Sequence, residues 1–243
     1  MSDPAFRLPQ GIVPALDVDS VDQLKRVVDQ TSGVEGVVAY KLGATGALRL
    51  GLAGAVEVVR AHSDLPVIYD HQKAGPDIPD MAGKFAALCR EADVGAVILF
   101  PLAGPDAVRQ FAGEAQRRGI VPIVGGDLPV PEYHAGQGGF VVDDALDRIL
   151  ELSLEAGVEH FVVPATATEE IRTRAEWLRS RVRTPKLFMP GIGALGGSIE
   201  TAFAAAPGCS RYAIVGRGIY GAPDPRDAAS RLAEAALNVA SAG

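Results

Sequence analysis

The sequence predicts an α/β protein with a (β/α)8 fold, a TIM barrel, formed as a single domain by residues 1–243. Eight short runs rich in Val and Ile alternate with longer segments of helical periodicity, which is typical of repeated βα units. These runs are apolar throughout, as expected for parallel strands covered by helices. The length fits a barrel of roughly 250 residues. A doubly wound sheet is the competing architecture, but eight strands in strict alternation favour the barrel.

Turn and capping residues mark the ends of the predicted elements. Asp19 and Ser20 are suited to cap the first helix, and Pro105 lies near the first turn of the fourth. Gly119 and Gly157 are expected to end the helices before strands five and six. The predicted strands occupy residues 11–17, 36–43, 66–71, 96–100, 120–125, 160–165, 186–191 and 212–216.

One connection is unusually long. Residues 125–139 follow the fifth predicted strand and are rich in Gly and Pro. Long loops at the carboxyl ends of barrel strands are often binding loops or lids, so we expect this one to be functional.

Composition excludes several classes of protein. A net charge of −7 without a basic run argues against nucleic-acid binding, and no apolar run approaches the ~20 residues that span a membrane. The N-terminal segment lacks the apolar core of a secretory signal. Cys89 and Cys209 fit no disulfide framework, which favours a reducing, cytoplasmic location. His62, His134 and His160 have no common metal-ligand spacing, so no metal site is expected.

Charged residues end the first three predicted strands. Asp17 ends the first, Lys41 lies in the second, and Asp70, Lys73 and Asp77 follow along the third. Active sites of such barrels lie at the carboxyl ends of the strands, so these side chains should converge. A lysine in an apolar strand is costly unless it is paired, and alternating charges would hold it protonated.

The ends of strands seven and eight are rich in glycine. Their sequences are MPGIGALGG and VGRGIY. Barrels commonly bind phosphate with these two loops and a helix N-terminus, and an arginine adds a forked donor. The candidate phosphate-binding residues are Pro190, Gly191, Gly193, Gly196, Gly216 and Arg217.

These segments together resemble the orotidine 5′-phosphate decarboxylase superfamily, from ALD at strand one to VGRGIY at strand eight. The most specific elements are the Asp–Lys–Asp cluster that ends in Asp-Ile-Pro and the paired PGIGA and VGR segments. Two further segments also fit members of this superfamily: ILFPLAGPDAVR, and GGF followed by DDA. The resemblance implies decarboxylation of orotidine 5′-phosphate to uridine 5′-phosphate with no cofactor and no metal.

The resemblance also implies roles for the charged residues. Asp17 and Lys41 would bind ribose and complete the charged network. Asp70 would lie near the substrate carboxylate, and Lys73 would deliver a proton to the carbon that loses CO₂. Asp77 would reach into the partner's site of a homodimer with shared active sites.

Two further positions of the third-strand motif are candidate substrate-binding residues. His71 either contacts the substrate or supports the loop, and Ile78 belongs to the Asp-Ile-Pro element. The expected partner is a phosphorylated small molecule, with a nucleotide favoured by the resemblance.

Several positions depart from the family's pattern. Leu195 replaces a glutamine that bridges phosphate and base, Pro129 and Val130 replace a hydroxyl residue and a histidine, and Met81 replaces a ribose-contacting threonine. The Asp–Lys–Asp spacing is also longer than the common form by one residue at each step, although a subgroup carries a similar DHQKAG…DIP form.

These departures keep two alternatives open. One is a paralogue that acts on another phosphorylated nucleotide or sugar, including a Mg²⁺-dependent sugar-phosphate decarboxylase. The other is a catalytically silent nucleotide-binding homologue.

Overall fold

A computed structural model describes residues 5–71, 77–128, 130–193 and 196–239. Within these ranges, eight parallel strands lie in the order β1-β8-β7-β6-β5-β4-β3-β2. Parallel bridges from Ile12 to Val37 and from Ala15 to Lys41 join β1 to the segment around β2, so the sheet closes on itself. The predicted barrel is confirmed, and each predicted strand overlaps an observed one. The strands are β1 (Gln10–Pro14), β2 (Tyr40–Leu42), β3 (Val67–Asp70), β4 (Ala96–Leu99), β5 (Val121–Val124), β6 (His160–Val162), β7 (Lys186–Pro190) and β8 (Ser210–Val215).

Helices follow the strands around the outside of the barrel. The Ser20 hydroxyl caps the first helix by accepting a bond from the Gln23 amide, and Pro105 begins the fourth. Gly119 and Gly157 adopt positive φ angles of 70° and 76° just after two helices, the conformation that glycine adopts without strain. The helices are α1 (Val21–Thr31), α2 (Ala44–Arg60), α3 (Ala82–Glu91), α4 (Pro105–Arg117), α5 (Ala145–Glu155), α6 (Thr168–Arg179), α7 (Ile199–Ala204), α8 (Arg217–Tyr220) and α9 (Pro225–Asn238).

The barrel interior is filled by apolar side chains at its amino-terminal end. Phe6, from the segment before β1, is fully buried, and its ring centroid lies 5.3 Å from that of Phe188 and 5.2 Å from that of Tyr212. The Tyr212 hydroxyl donates to the Leu8 carbonyl and holds that segment in place. The opposite, carboxyl-terminal end is therefore the one left for polar chemistry.

Two glycines shorten or bend elements that the sequence predicts as continuous. Gly36 has φ of 89°, and regular strand β2 begins only at Tyr40. Gly51 has φ of 69° and kinks α2 after its first turns. Side chains other than glycine rarely adopt such angles, so both bends depend on glycine.

Within the described ranges, no helix is both long and apolar enough to cross a lipid bilayer.

Candidate active site

Lys41 lies between two carboxylates at the carboxyl end of the barrel. Its Nζ is 2.7 Å from Asp70 Oδ2 and 3.2 Å from Asp17 Oδ2. The Lys41 and Asp70 side chains are only 6% and 1% exposed, whereas that of Asp17 is 38% exposed. The predicted convergence of these three residues is therefore observed.

The strand alternation explains why these side chains meet. Successive residues of a strand point to opposite faces, so Lys41 points into the barrel while Tyr40 points outward and bonds Thr31 of α1. Asp70 likewise points inward, two residues after the buried Ile68. The parallel bridge between Ala15 and Lys41 then places Asp17 beside the ammonium group.

The charge balance of this cluster favours a protonated lysine. Burial alone would lower the pKa of Lys41, but the Asp70 and Asp17 carboxylates outweigh it, and the pKa lies above its ordinary value. Lys41 is thus a fixed positive charge at neutral pH, and it orients the buried Asp70 carboxylate.

Gly43 makes room for Asp17, which the sequence alone did not reveal. A Cβ at Gly43 would lie 1.9 Å from Asp17 Oδ1, much closer than any real contact. The strand-end glycine therefore lets the carboxylate approach Lys41, although its backbone angles suit other residues.

His71 lies on the other side of β3 from Asp70. Its ring stacks on Phe85 of α3 with centroids 4.3 Å apart, and its amide donates to the Ile98 carbonyl. Burial lowers the pKa of His71, with Asp77 and Asp70 opposing the shift, so the imidazole is neutral at pH 7. This placement favours the loop-supporting alternative over direct substrate contact.

Asp77 and Ile78 are both exposed, and the Asp77 carboxylate accepts a bond from the Ile78 amide at 2.8 Å. Met81 ends the short 3-10 turn Pro79–Met81, and its side chain packs against the hydrophobic core. Asp77 thus lies at the surface beside His71, while the Met81 side chain is partly buried against the core.

Three glycines after β7 adopt left-handed backbone angles, which favour glycine. Gly191, Gly193 and Gly196 have φ of 100°, 75° and 90°. The Gly193 amide donates to Gly197 O, and the Gly196 amide donates to Gly193 O, at 2.9 and 2.8 Å. These two amides are occupied within the loop, so they are not the donors that an anion would meet first. Pro190 ends β7, and its carbonyl accepts from the Ala165 amide.

The start of α8 offers other donors beside this loop. The first intrahelical bond runs from Ile219 N to Gly216 O, so the Arg217 and Gly218 amides precede the helix ladder. Arg217 is exposed, and none of the described carboxylates pairs with it. Amides and a guanidinium thus lie together at the end of β8.

Lys73, Pro129 and Leu195, which the sequence analysis singled out, lie outside the described residues. Among the described residues, no three His, Cys, Asp or Glu side chains are grouped to bind one metal ion. Cys89 and Cys209 are buried free thiols, and burial raises their pKa values to about 12 and about 11.

Comparison with known proteins gives consistent results across the chain. The sequence profile of the Orotidine 5′-phosphate decarboxylase / HUMPS family matches residues 11–232. An orotidine 5′-phosphate decarboxylase of Pyrococcus abyssi is 29% identical over 91% of this chain and 96% of its own length. One from Thermococcus kodakarensis is 34% identical over 72% of this chain and 74% of its own. The crystal structure of orotidine 5′-monophosphate decarboxylase from Methanocaldococcus jannaschii, complexed with the inhibitor BMP, is 26% identical. It covers 94% of this chain and 98% of its own, with a TM-score of 0.77.

Proposed function

The chain belongs to the Orotidine 5′-phosphate decarboxylase / HUMPS family, and from that membership we propose that it converts orotidine 5′-phosphate to uridine 5′-phosphate without a cofactor. It is a lyase similar to the curated carboxy-lyases that it matches. The observation that carries the proposal is the buried Lys41 held between Asp17 and Asp70. Maintaining such a cluster at a barrel mouth is costly unless its charges are used.

The proposed chemistry needs fixed charge and a proton donor. Loss of CO₂ leaves electron density on a ring carbon that has no cofactor to accept it, so preorganised charge must stabilise it. Lys41 orients Asp70 beside the departing carboxylate. Lys73, three residues after Asp70, then delivers the proton to the carbon. Asp17, the more exposed carboxylate, binds the ribose hydroxyls.

Phosphate binding is assigned to the β7 and β8 loops. Arg217 and the first amides of α8 supply the donors, while Gly191, Gly193 and Gly196 have no side chains to prevent close approach. Binding the phosphate away from the reacting carbon would contribute free energy for positioning the base.

We also propose a homodimer in which Asp77 completes the partner's site. Five of the six large hydrophobic side chains exposed among the described residues lie on or beside α3 and the loops after β3 and β5. A groove between α4 and α5, lined by Leu102, Pro105, Val108 and Ile149 with Val142 at its edge, adjoins the β5 loop. Exposed apolar side chains of this kind are typical of surfaces that bind another protein, which supports the proposed dimer. The five residues are Ile78, Leu88, Val130, Phe140 and Val142.

A second candidate is a family member that acts on a different phosphorylated nucleotide or sugar in the cytoplasm. The packing of the partly buried Met81 against the core favours it, because a thioether there cannot replace a hydroxyl that contacts ribose. Leu195 and Pro129 also favour this second candidate, since neither side chain can donate a hydrogen bond to a substrate.

The first test is decarboxylation of orotidine 5′-phosphate, followed by the loss of orotate absorbance. We expect turnover, and we expect Lys73→Ala to reduce kcat by at least about 100-fold, because it removes the general acid. Lys25→Ala, on the exposed face of α1, is the matched control and should leave kcat unchanged.

Three other results would contradict the proposal in distinguishable ways. Binding of uridine 5′-phosphate without turnover would indicate a catalytically silent homologue. Turnover of a sugar phosphate that EDTA abolishes would indicate the Mg²⁺-dependent alternative. Neither binding nor turnover of any nucleotide would overturn the assignment.

A further inference from the structure

His71 is a polar side chain in an aromatic cluster that lies between the barrel and helices α3 and α4. Its ring stacks on Phe85 of α3 with centroids 4.3 Å apart, and Phe85 contacts Phe111 of α4 at 5.6 Å. A phenyl ring would make the same stacking contact. Two ring nitrogens among aromatic side chains cost free energy unless they bind a partner, so a histidine at this position is expected to have a polar role.

Tyr69 orients the His71 ring and assigns its tautomer. The Tyr69 hydroxyl lies 3.5 Å from His71 Nδ1, which is the one acceptor that it meets among the described residues. Burial raises the pKa of Tyr69, so the hydroxyl stays protonated and donates to Nδ1. The neutral imidazole therefore carries its proton on Nε2. Within the described part of the chain, Nε2 has no hydrogen-bond partner.

A small cavity lies between the His71 ring and Asp77. Both residues line it, and its volume of about 20 Å³ accommodates one water molecule. A water molecule in such a place needs polar partners, and the imidazole and the carboxylate are the polar side chains that line this cavity. The other lining residues come from the end of β4 and from α4, and all are apolar: Leu99, Phe100, Pro101, Ala107 and Phe111.

Asp77 is only partly fixed by its own backbone. Its Oδ1 accepts a bond from the Ile78 amide at 2.8 Å, but the residue is exposed. Its Oδ2 has no partner among the residues that the structure describes. Ordering an exposed side chain at the moment of binding costs conformational entropy, so a second contact that orients the carboxylate beforehand would favour binding.

Electrostatic interaction couples the two groups across the cavity. Burial lowers the pKa of His71, and the Asp77 carboxylate opposes this shift more than Asp70 does. The side chains that α3, the end of β4 and α4 place around the ring are uncharged. Asp77 is thus the charged group to which the His71 ring responds most.

We propose that His71 is a positioning residue that holds Asp77 through one water molecule in this cavity. His71 Nε2 donates to the water, and the water donates to Asp77 Oδ2, while the Ile78 amide holds Oδ1. The carboxylate is then presented in one orientation to the partner's active site. This inference rests on the proposed function, because it takes from it the role of Asp77 in that site.

A positioning role predicts that the effect of His71 depends on Asp77. His71 contacts no substrate, so its replacement should weaken substrate binding only while there is a carboxylate to orient. Two residues that act through one contact are not additive when both are replaced. A role in packing alone would persist without Asp77, because the stack on Phe85 does not involve that residue.

The experiment combines variants of the two residues. His71→Phe keeps the stack on Phe85 and removes both nitrogens, His71→Gln keeps an amide donor, and Asp77→Asn removes the charge. The double variant His71→Phe/Asp77→Asn completes the cycle. His62→Gln is the matched control, because His62 forms another His–Asp pair, with Nδ1 3.5 Å from Asp29 Oδ1.

Each protein is measured in two ways. Steady-state kinetics with orotidine 5′-phosphate give KM and kcat. An NMR titration of the imidazole signals, without substrate, gives the pKa of His71. The chain has four histidines, so the His71 signal is identified as the one that is lost in His71→Phe.

We expect His71→Phe to raise KM by about tenfold, as for the loss of a hydrogen-bonded link to a charged group, with a smaller change in kcat. His71→Gln should recover most of this loss. In the Asp77→Asn protein, His71→Phe should change KM by less than about twofold. Asp77→Asn should lower the pKa of His71, because it removes the charge that opposes the effect of burial. His62→Gln should match the wild type in KM and kcat.

An effect of His71→Phe that is equally large with and without the Asp77 carboxylate would overturn the inference. A pKa of His71 that does not move in Asp77→Asn would overturn it too. A wild type that does not turn over orotidine 5′-phosphate would contradict the proposed function instead. The titration needs no substrate, so it would still decide whether His71 and Asp77 are coupled.

Discussion

At the scale of single residues, the site depends on one buried ammonium and the space around it. Lys41 satisfies two carboxylates, and Gly43 leaves room for the more exposed of them. The lysine was recognisable in the sequence because a charge inside an apolar strand needs a partner. The role of Gly43 was not recognisable in the sequence, because its φ and ψ are ordinary and only the neighbouring Asp17 excludes a larger side chain.

Gly43→Ala should therefore displace the Asp17 carboxylate from Lys41. We expect a KM increase of about tenfold and a loss of stability of about 1–3 kcal/mol, since the added methyl overlaps a fixed group. Steady-state kinetics and urea denaturation provide the measurements. Gly54→Ala, where the new Cβ would be 3.5 Å from Leu50 Cβ within α2, is the matched control and should be neutral or slightly stabilising. Unchanged KM in Gly43→Ala would contradict a role for Asp17 in binding.

At the scale of elements, the segment before β1 closes the end of the barrel opposite the active site. Phe6 contacts Phe188 of β7 and Tyr212 of β8, each the third residue of its strand. A single aromatic ring from a non-helical segment thus completes the interior, while the charged cluster occupies the other end. The buried aromatic cluster and the charged cluster are separated along the barrel axis.

Phe6→Ala should lower the free energy of unfolding by about 3–5 kcal/mol, because it opens a cavity in a fully buried cluster. Thermal or urea unfolding measures this loss. The kcat of the folded variant should stay close to that of the wild type, since the cavity is at the far end of the barrel. A large fall in kcat at a temperature where the variant is folded would refute this separation.

At the scale of the whole molecule, five of the six large hydrophobic side chains exposed among the described residues lie between the end of β3 and the start of α5. Phe140 is fully exposed two residues before Val142, which lines the groove between α4 and α5, and the exposed Asp77 lies in the segment after β3. Leu48 on α2 is also exposed, but it lies outside this part of the chain. An interface on the α3–α5 side would cover the first group and leave Leu48 in solvent.

Phe140→Glu should therefore weaken the proposed dimer by at least about tenfold in Kd, because it places a charge in an apolar interface. Analytical ultracentrifugation across a concentration series measures the change, and specific activity should fall as the protein dissociates. Leu48→Glu makes the same chemical change elsewhere and should have no effect. A monomeric wild type, or equal behaviour of the two variants, would rule out this surface as the interface.

Much of the fold could be predicted because its signals are local. Continuous apolar runs mark strands that are buried on both faces, and capping residues such as Ser20 and Gly157 mark helix ends. The kink at Gly51 and the late start of β2 after Gly36 were not predicted. A glycine permits left-handed angles but does not require them, and here the surrounding packing decides.

The candidate site divides in the same way. The charges at strand ends and the glycine-rich loops were evident because the barrel assigns all carboxyl strand ends to one face. Other features became visible only in three dimensions. They are the packing of His71 against Phe85, the hydrogen bonds that the Gly193 and Gly196 amides make within the loop, and the hydrogen bonds of Tyr133 to Gly126 and of His134 to Asp127.

By itself, the sequence determined the barrel and the strand ends at which its charged residues lie, because strand alternation and chain direction follow from patterns of neighbouring residues. The tertiary structure alone decided which of those charges meet, which face of β3 carries His71, and how the β5 loop is held. Those outcomes depend on contacts between residues that are brought together only when strands and loops pack, and such contacts leave no local signal along the chain.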